Sequence, residues 1–189
     1  MLHLAADFLT KELNAWLLQR TGGSFGAAML TRIATDAGKW AFDEDRVGVA
    51  LINVEEERTV KTQVPQPAFV EGRQVLREPE LKINFYLLFV AYFQNYQQGL
   101  KQLSLVLTFF QSRPLFTRTR YPGLDPRIEK LGVDLMSLGY EQLNQVWTFV
   151  GAKYLPSVVY RVRLVALQDD EPASVAPPIT RIDAAVETL

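Results

Sequence analysis

The stretch LKINFYLLFVAYFQNYQQGLKQLSLVLTFFQSR, Leu81 to Arg113, decides the fold. It sets two apolar blocks of different period back to back. From Leu81 to Phe93 nearly every residue is apolar, with Lys82 and Asn84 as early exceptions. A half-buried strand alternates, whereas a strand covered on both faces reads as a continuous apolar run. The mix of Phe85, Tyr86, Phe89, Val90, Tyr92 and Phe93 suits a central strand better than a helix. Past Gln94-Asn95 the spacing changes, and Tyr96, Leu100, Leu103, Leu107 and Phe110 recur at helical intervals. The stretch predicts a buried strand feeding directly into a helix.

Working outward, Leu2 to Arg20 reads as a helix with Leu2, Ala6, Leu9, Leu13, Trp16 and Leu17 on one face and Gly22-Gly23 as its stop. Ala28 to Ala34 predicts a short strand, and Thr35 to Arg46 a polar loop. Val47 to Val54 predicts a strand with Val47, Val49 and Leu51 on one face and Ala50, Ile52 and Val54 on the other. Glu55 to Pro79 is a long polar connection, and PAFVEGRQVLRE within it predicts a hairpin turning at Glu71-Gly72. After the central unit, Pro114 to Arg127 is turn-rich and Ile128 to Leu135 predicts a strand. A third helix carries Tyr140, Leu143, Val146, Trp147 and Val150, entered at Gly139 and ended at Gly151. Leu155 to Leu167 predicts the last strand, with Val158, Tyr160, Val162 and Leu164 opposing Arg161 and Arg163. Where neighbouring strands run parallel, the crossovers are expected to be right-handed. The expected fold is α/β, a single domain with a mixed β-sheet flanked by about three α-helices over residues 1–167, followed by an extended C-terminal tail over 168–189.

With 189 residues the chain can bury a sizeable core without disulfides or metal. A net charge of −1 and a pI near 5.9 speak against nucleic-acid binding by bulk electrostatics. The absence of cysteine removes thiol nucleophiles, disulfides and Cys-based zinc sites. The first residues lack a basic n-region, and the Leu81 to Phe93 run is too short to span a bilayer, so a soluble chain without membrane insertion is expected.

Candidate chemistry is sparse. His3 is the only histidine and sits at the chain start without an evident orienting partner. In Glu55-Glu56-Glu57 only Glu55 and Glu57 can converge on one face of an extended chain, and a strand end pairing with Arg58 or other arginines outweighs a cation site. TGGSFG at Thr21 to Gly26 follows a helix and lacks a closing Gly-Lys-Ser/Thr, so it is a helix stop and no phosphate loop. Arg113, Arg118, Arg120 and Arg127, with Phe116 and Tyr121 between them, are suited to phosphate or to an acidic protein surface. No serine sits in a nucleophile elbow. No catalytic, cofactor-binding or metal-ligating residue, no cofactor and no small-molecule substrate is expected. The second helix loses its polar face where Leu103, Leu105, Val106, Leu107, Phe109 and Phe110 leave only Ser104 and Thr108. Such a helix needs cover on more than one side, and a subunit contact is the expected second cover.

INVEEERT (Ile52 to Thr59), INFYLLFVAYFQNY (Ile83 to Tyr96), LSLVLTFFQSRPLF (Leu103 to Phe116), IEKLGVDL (Ile128 to Leu135) and LNQVWTFVGAKYLPSVVYRVRLV (Leu143 to Val165) occur together in this order. The set resembles the N-terminal domain of the cap, or tail-terminator, proteins of contractile injection systems such as the antifeeding prophage and the Photorhabdus virulence cassettes. The resemblance implies a tail-terminator-like fold and a non-enzymatic structural protein. It implies a homo-hexameric ring at the distal end of a phage-tail-like particle, in contact with sheath protein and inner tube protein, with no nucleic acid. A ring arises from heterologous interfaces whose rotation closes. Interface residues expected on this basis are Leu105 and Phe109 on the second helix, Glu55, Glu57 and Arg58 at the strand end, and Arg118 and Arg120. A sheath arm that adds to a sheet edge is expected near Val47 to Arg58. Assembly is expected in the bacterial cytoplasm, with extracellular release of the particle left open. Gly139 departs from the Ser or Thr usual at that cap, and some family members continue into a longer C-terminal region past the point where this sequence stops, at Leu189. A chaperone of tail components and a nucleotide-handling α/β enzyme are the alternatives.

Overall fold

Strand β5 (Leu81–Tyr92) is the axis of a six-stranded sheet in the computed structural model, which describes residues 1–23, 26–57, 66–70, 73–77, 81–166 and 174–175. The other strands of this sheet are β1 (Ala28–Leu30), β2 (Arg46–Glu56), β6 (Leu115–Thr117), β7 (Ile128–Met136) and β8 (Ser157–Ala166). Their order is β1-β2-β5-β8-β7-β6, with helices α1 (Leu2–Thr21), α2 (Tyr96–Ser112) and α3 (Tyr140–Val150) packed on it. The α/β reading, with a mixed sheet and three helices, is what the chain adopts.

The middle of the sheet is antiparallel, so the condition for right-handed crossovers is not met between adjacent strands there. Strands β5 and β7 point the same way, but β8 lies between them and is antiparallel to both. Among the described residues only β1 and β2 pair in parallel, through Ala28–Leu30 against Val47–Val49. The continuous apolar run of β5 therefore reports cover on both faces without reporting strand direction. Phe85, Leu87 and Phe89 point to the face that carries α1 and α2, while Leu88 and Val90 point to the face that carries α3. All five are fully buried, and each such side chain contributes about 1.5–3 kcal/mol of transfer free energy.

Helix α1 buries Ala6, Leu9, Leu13, Trp16 and Leu17, as its spacing predicts, and ends where Gly22 takes a left-handed φ of 59°. Asn14 ties it to the sheet. Its side chain donates to the Ala28 carbonyl at 2.8 Å and accepts from the Ala28 N–H at 2.7 Å, occupying the outer edge of β1. Helix α2 starts at Asn95, whose side-chain oxygen accepts from the Gln97 and Gln98 amides, a cap typically worth about 1 kcal/mol.

The stripe that α2 buries differs from the expected one. Gly99, Gln102, Leu103, Val106, Phe109 and Phe110 face inward, while Tyr96 and Leu100 are exposed. The second cover of its apolar end comes from this same chain: the Trp16 ring of α1 lies 5.6 Å from that of Phe109. Phe109 is 1% exposed, so its expected place at a subunit surface is corrected to the monomer core. Leu105 and Leu107 are half-buried against that core.

Three further expectations change. Between Leu51 and Asn53 the β2–β5 register shifts by a bulge, which reverses the facing of every later residue. Val54 thus lies on the Val47 side, where the alternation placed it opposite. The loop over Thr35 to Arg46 is not merely polar, since Phe42 is buried against Gly48 and Trp40 lies against Tyr92, their rings 5.0 Å apart. The turn-rich segment after Pro114 includes the short β6, antiparallel to β7.

The hairpin strands are β3 (Gln66–Val70) and β4 (Arg73–Arg77), which pair antiparallel from Val70–Arg73 outward. Strand β9 (Ser174–Val175) adds to β4 in a second sheet, so the segment expected as an extended tail contributes a short strand. The turn at Glu71-Gly72, residue Arg58, Leu167 and the rest of the tail lie outside the described residues.

Candidate functional site

The β2 bulge directs Asn53, Glu55 and Glu57 to the same face as Tyr86 and Asn84 of β5. Register then aligns two rows across four strands. The first runs Asn53, Tyr86, Arg161, Asp134, and the second Glu55, Asn84, Arg163, Gly132. Helix α3 and Phe42 pack over the other, apolar end of this face, where Ala50, Leu88, Val90 and Val159 lie.

Hydrogen bonds stitch the rows diagonally. Tyr86 donates its hydroxyl to Glu55 at 2.9 Å, and Asn53 donates to the other Glu55 oxygen at 2.9 Å. Asn84, 7% exposed, donates to Glu57 at 2.8 Å. Arg163 grips Asp134 with Nε at 2.9 Å and Nη2 at 3.3 Å, and Arg161 reaches the same carboxylate at 3.4 Å. Gly132 lies beside this grip, where a Cβ would make ordinary van der Waals contact with the Arg163 guanidinium at 3.5 Å. The Asn84 side-chain oxygen Oδ1 and the Arg161 Nε are buried without a hydrogen-bond partner among the described residues.

These groups suit recognition better than proton transfer. Burial first, then the hydrogen bond to Glu55, pushes the Tyr86 phenol above its ordinary pKa, so it keeps its proton and serves as a donor. No described cluster of three or more His, Cys, Asp or Glu could hold a metal ion. No described helix is long and apolar enough to cross a membrane.

The remaining expected residues form two other groups. Arg118 donates to the Pro126 carbonyl at 3.1 Å, and the Arg120 guanidinium lies 5.8 Å from the Tyr121 ring. Phe116, expected between the arginines at the surface, is fully buried against Phe8 and Tyr121. Arg127 is bound to Asp125 at 2.9 and 3.1 Å, which holds that carboxyl at about 2, below its ordinary value of 3.8. Among the described residues, no hydrogen bond, ion pair or ring contact joins Glu55 and Glu57 to Leu105 and Phe109, or either pair to Arg118 and Arg120. The sequence reading missed Asn53, Tyr86, Asn84 and Asp134. Their one signal was the polar pair Lys82 and Asn84 within an apolar strand, with Arg161 and Arg163 alternating in another.

The family model described as the Pvc16 N-terminal domain matches residues 6–181. The chain belongs to that family. Two solved structures share the fold of this Pvc16 N-terminal domain. One is the PVC sheath/tube terminator of an extracellular contractile injection system in its extended state, with a TM-score of 0.65, 16% identity and coverage of 96% of this chain. The other is the tube-terminating cap of the anti-feeding prophage, with a TM-score of 0.63, 15% identity and coverage of 93%. The chain spans 62% and 60% of those two proteins. Comparison with curated proteins gives no match. At such identity the likeness establishes the fold, and the resemblance drawn from the sequence segments is the family that the match gives.

Proposed function

We propose that the chain is a structural cap that terminates the inner tube and sheath of a phage-tail-like contractile injection system, and that it acts as a hexameric ring without catalysis. The observation that carries this reading is the fold shared over 96% of the chain with a sheath/tube terminator, within a Pvc16-type domain. Stacked rings grow because each exposes a face complementary to the next. A terminator matches the ring below and offers nothing to a ring above, and its own ring closes through heterologous contacts.

The sheath and the inner tube protein are the partners in this reading, with residues 1–167 as the terminator domain and 168–189 as a docking arm. Assembly takes place in the bacterial cytoplasm, and the finished particle is the extracellular form. The polar rows through Glu55, with Arg118, Arg120 and half-buried Leu105, supply contact surfaces. Strand β1 pairs only with Val47–Val49, so the outer side of β2 beyond Val49 has no strand on it among the described residues. A sheath arm extending the sheet would add there.

Electron microscopy of particles from a strain lacking this protein tests the reading. Tubes and sheaths of uncontrolled length support it. Particles of normal length that still contract refute it, and particles that are normal in length yet lack end density when the protein is present would make it a chaperone.

A further inference from the structure

Two arginines end up on one indole. Arg20 lies in the last turn of α1 and Arg113 caps the end of α2. Their guanidinium carbons lie 5.4 and 5.9 Å from the centre of the Trp16 ring, and Arg113 is also 5.1 Å from that of Phe109. Trp16 is only 9% exposed, held against Phe109 from below. Among the described residues neither arginine forms a salt bridge, whereas Lys11, Arg127, Arg161 and Arg163 all have carboxylates.

We infer that Arg20 and Arg113 form a receptor for carboxylate side chains on an acidic segment of a protein partner. Stacking occupies the face of a guanidinium and leaves its N–H edge available, and that edge matches a carboxylate in two parallel bonds. Among the described residues the only side-chain hydrogen bond from either is Arg113 Nη1 to Ser112 Oγ at 3.1 Å. The rings already restrict both side chains, so less rotamer freedom is lost on binding. Two like charges on one ring, offset in part by the ring face and by the partial negative charge of two helix ends, gain from an anion placed between them.

The chemistry favours a polypeptide carboxylate over a nucleic acid. A phosphate backbone needs a track of cations and exposed faces for base stacking. Here the indole is buried, Arg118 and Arg120 are engaged with Pro126 and Tyr121, and the chain carries a net charge of −1. The inference adds a partner chemistry to the terminator reading, and its test uses the isolated protein, so either can fail without the other.

The experiment titrates the full chain with an acetylated, amidated hexaglutamate peptide, followed by calorimetry and tryptophan emission, beside single-stranded hexathymidylate. Arg20→Met/Arg113→Met keeps the apolar stems over Trp16 and removes the charges, so its melting temperature should stay within a few degrees of the parent. Hexaglutamate affinity should fall about tenfold or more in that variant, as expected for the loss of charge-assisted contacts. Arg20→Lys/Arg113→Lys should recover only part of it, because lysine lacks the planar fork. No binding by the parent, equal binding by the methionine or lysine pair, or hexathymidylate binding as tight as hexaglutamate would each overturn the proposal. If the methionine pair unfolds, the lysine pair alone decides: affinity equal to the parent refutes, and reduced affinity with unchanged stability supports.

Discussion

Replacing Phe109 with alanine separates a core from a contact surface. The ring is 1% exposed and lies 5.6 Å from Trp16, 4.9 Å from Phe110 and 6.2 Å from Phe116. Removing a phenyl group from such a site costs about 3–5 kcal/mol. The edge-to-face pair with Phe110 adds about 0.5–1.5 kcal/mol, so the upper half of that range is expected. A domain of this size unfolds with about 5–15 kcal/mol, which makes the loss a large fraction of the total. At about 2–4 °C per kcal/mol the melting temperature should fall by roughly 8–20 °C. Half-buried Leu105 provides the contrast, since Leu105→Ala should cost about 1 kcal/mol in the monomer. The assay is urea unfolding followed by far-ultraviolet circular dichroism at several protein concentrations. A core residue lowers stability equally at all of them, whereas a subunit contact loses its effect on dilution. A loss below about 1 kcal/mol for Phe109→Ala, or one that vanishes on dilution, would falsify the placement of this ring.

Two further outcomes follow from the same packing. Gly48→Ala would put a Cβ 2.5 Å from the Phe42 ring, so we expect overpacking to cost about 1–3 kcal/mol; unchanged urea stability would show that the 35–45 loop does not press on β2. Burial raises the Tyr160 phenol above its ordinary pKa of 10.0, so the neutral form is favoured in the folded state. Its contribution is complete below that value and is lost as pH rises through the folded pKa, at up to about 1.4 kcal/mol per pH unit. Tyr160→Phe should flatten the decline in stability above about pH 10, and an identical alkaline slope in both proteins would contradict that assignment.

Local pattern and tertiary context left different marks on this chain. The extents of α1, α3, β5 and β7 were legible because each carries a long apolar period or a glycine stop. Gly139 receives the expected Gln142 side chain at 3.1 Å, and Gly151 closes α3 at a φ of 71°. Strand β6 was not legible, because three residues hold no period. Strand direction was equally silent, since an apolar run records cover on both faces and nothing of its neighbours' polarity. The facing of Val54 was misread because a single-residue bulge carries no distinctive residue type in Leu51-Ile52-Asn53.

The candidate surfaces divide in the same way. Sequence spacing put Glu55 and Glu57 on one face, but the donors that hold them, Tyr86 and Asn84, come from a strand some thirty residues on. The arginines near Arg118 stood out by number, yet Arg127 is neutralised by Asp125, and the two that share an indole are Arg20 and Arg113, ninety-three positions apart. By itself the sequence determined an α/β core, its helix ends and the family to which the chain belongs, since these rest on local periodicity and on ordered segments. Only the tertiary structure decided which face of α2 is spent on α1, which strands lie side by side and which charges meet. Those depend on register and on contacts between residues far apart in the chain, where no local preference reaches.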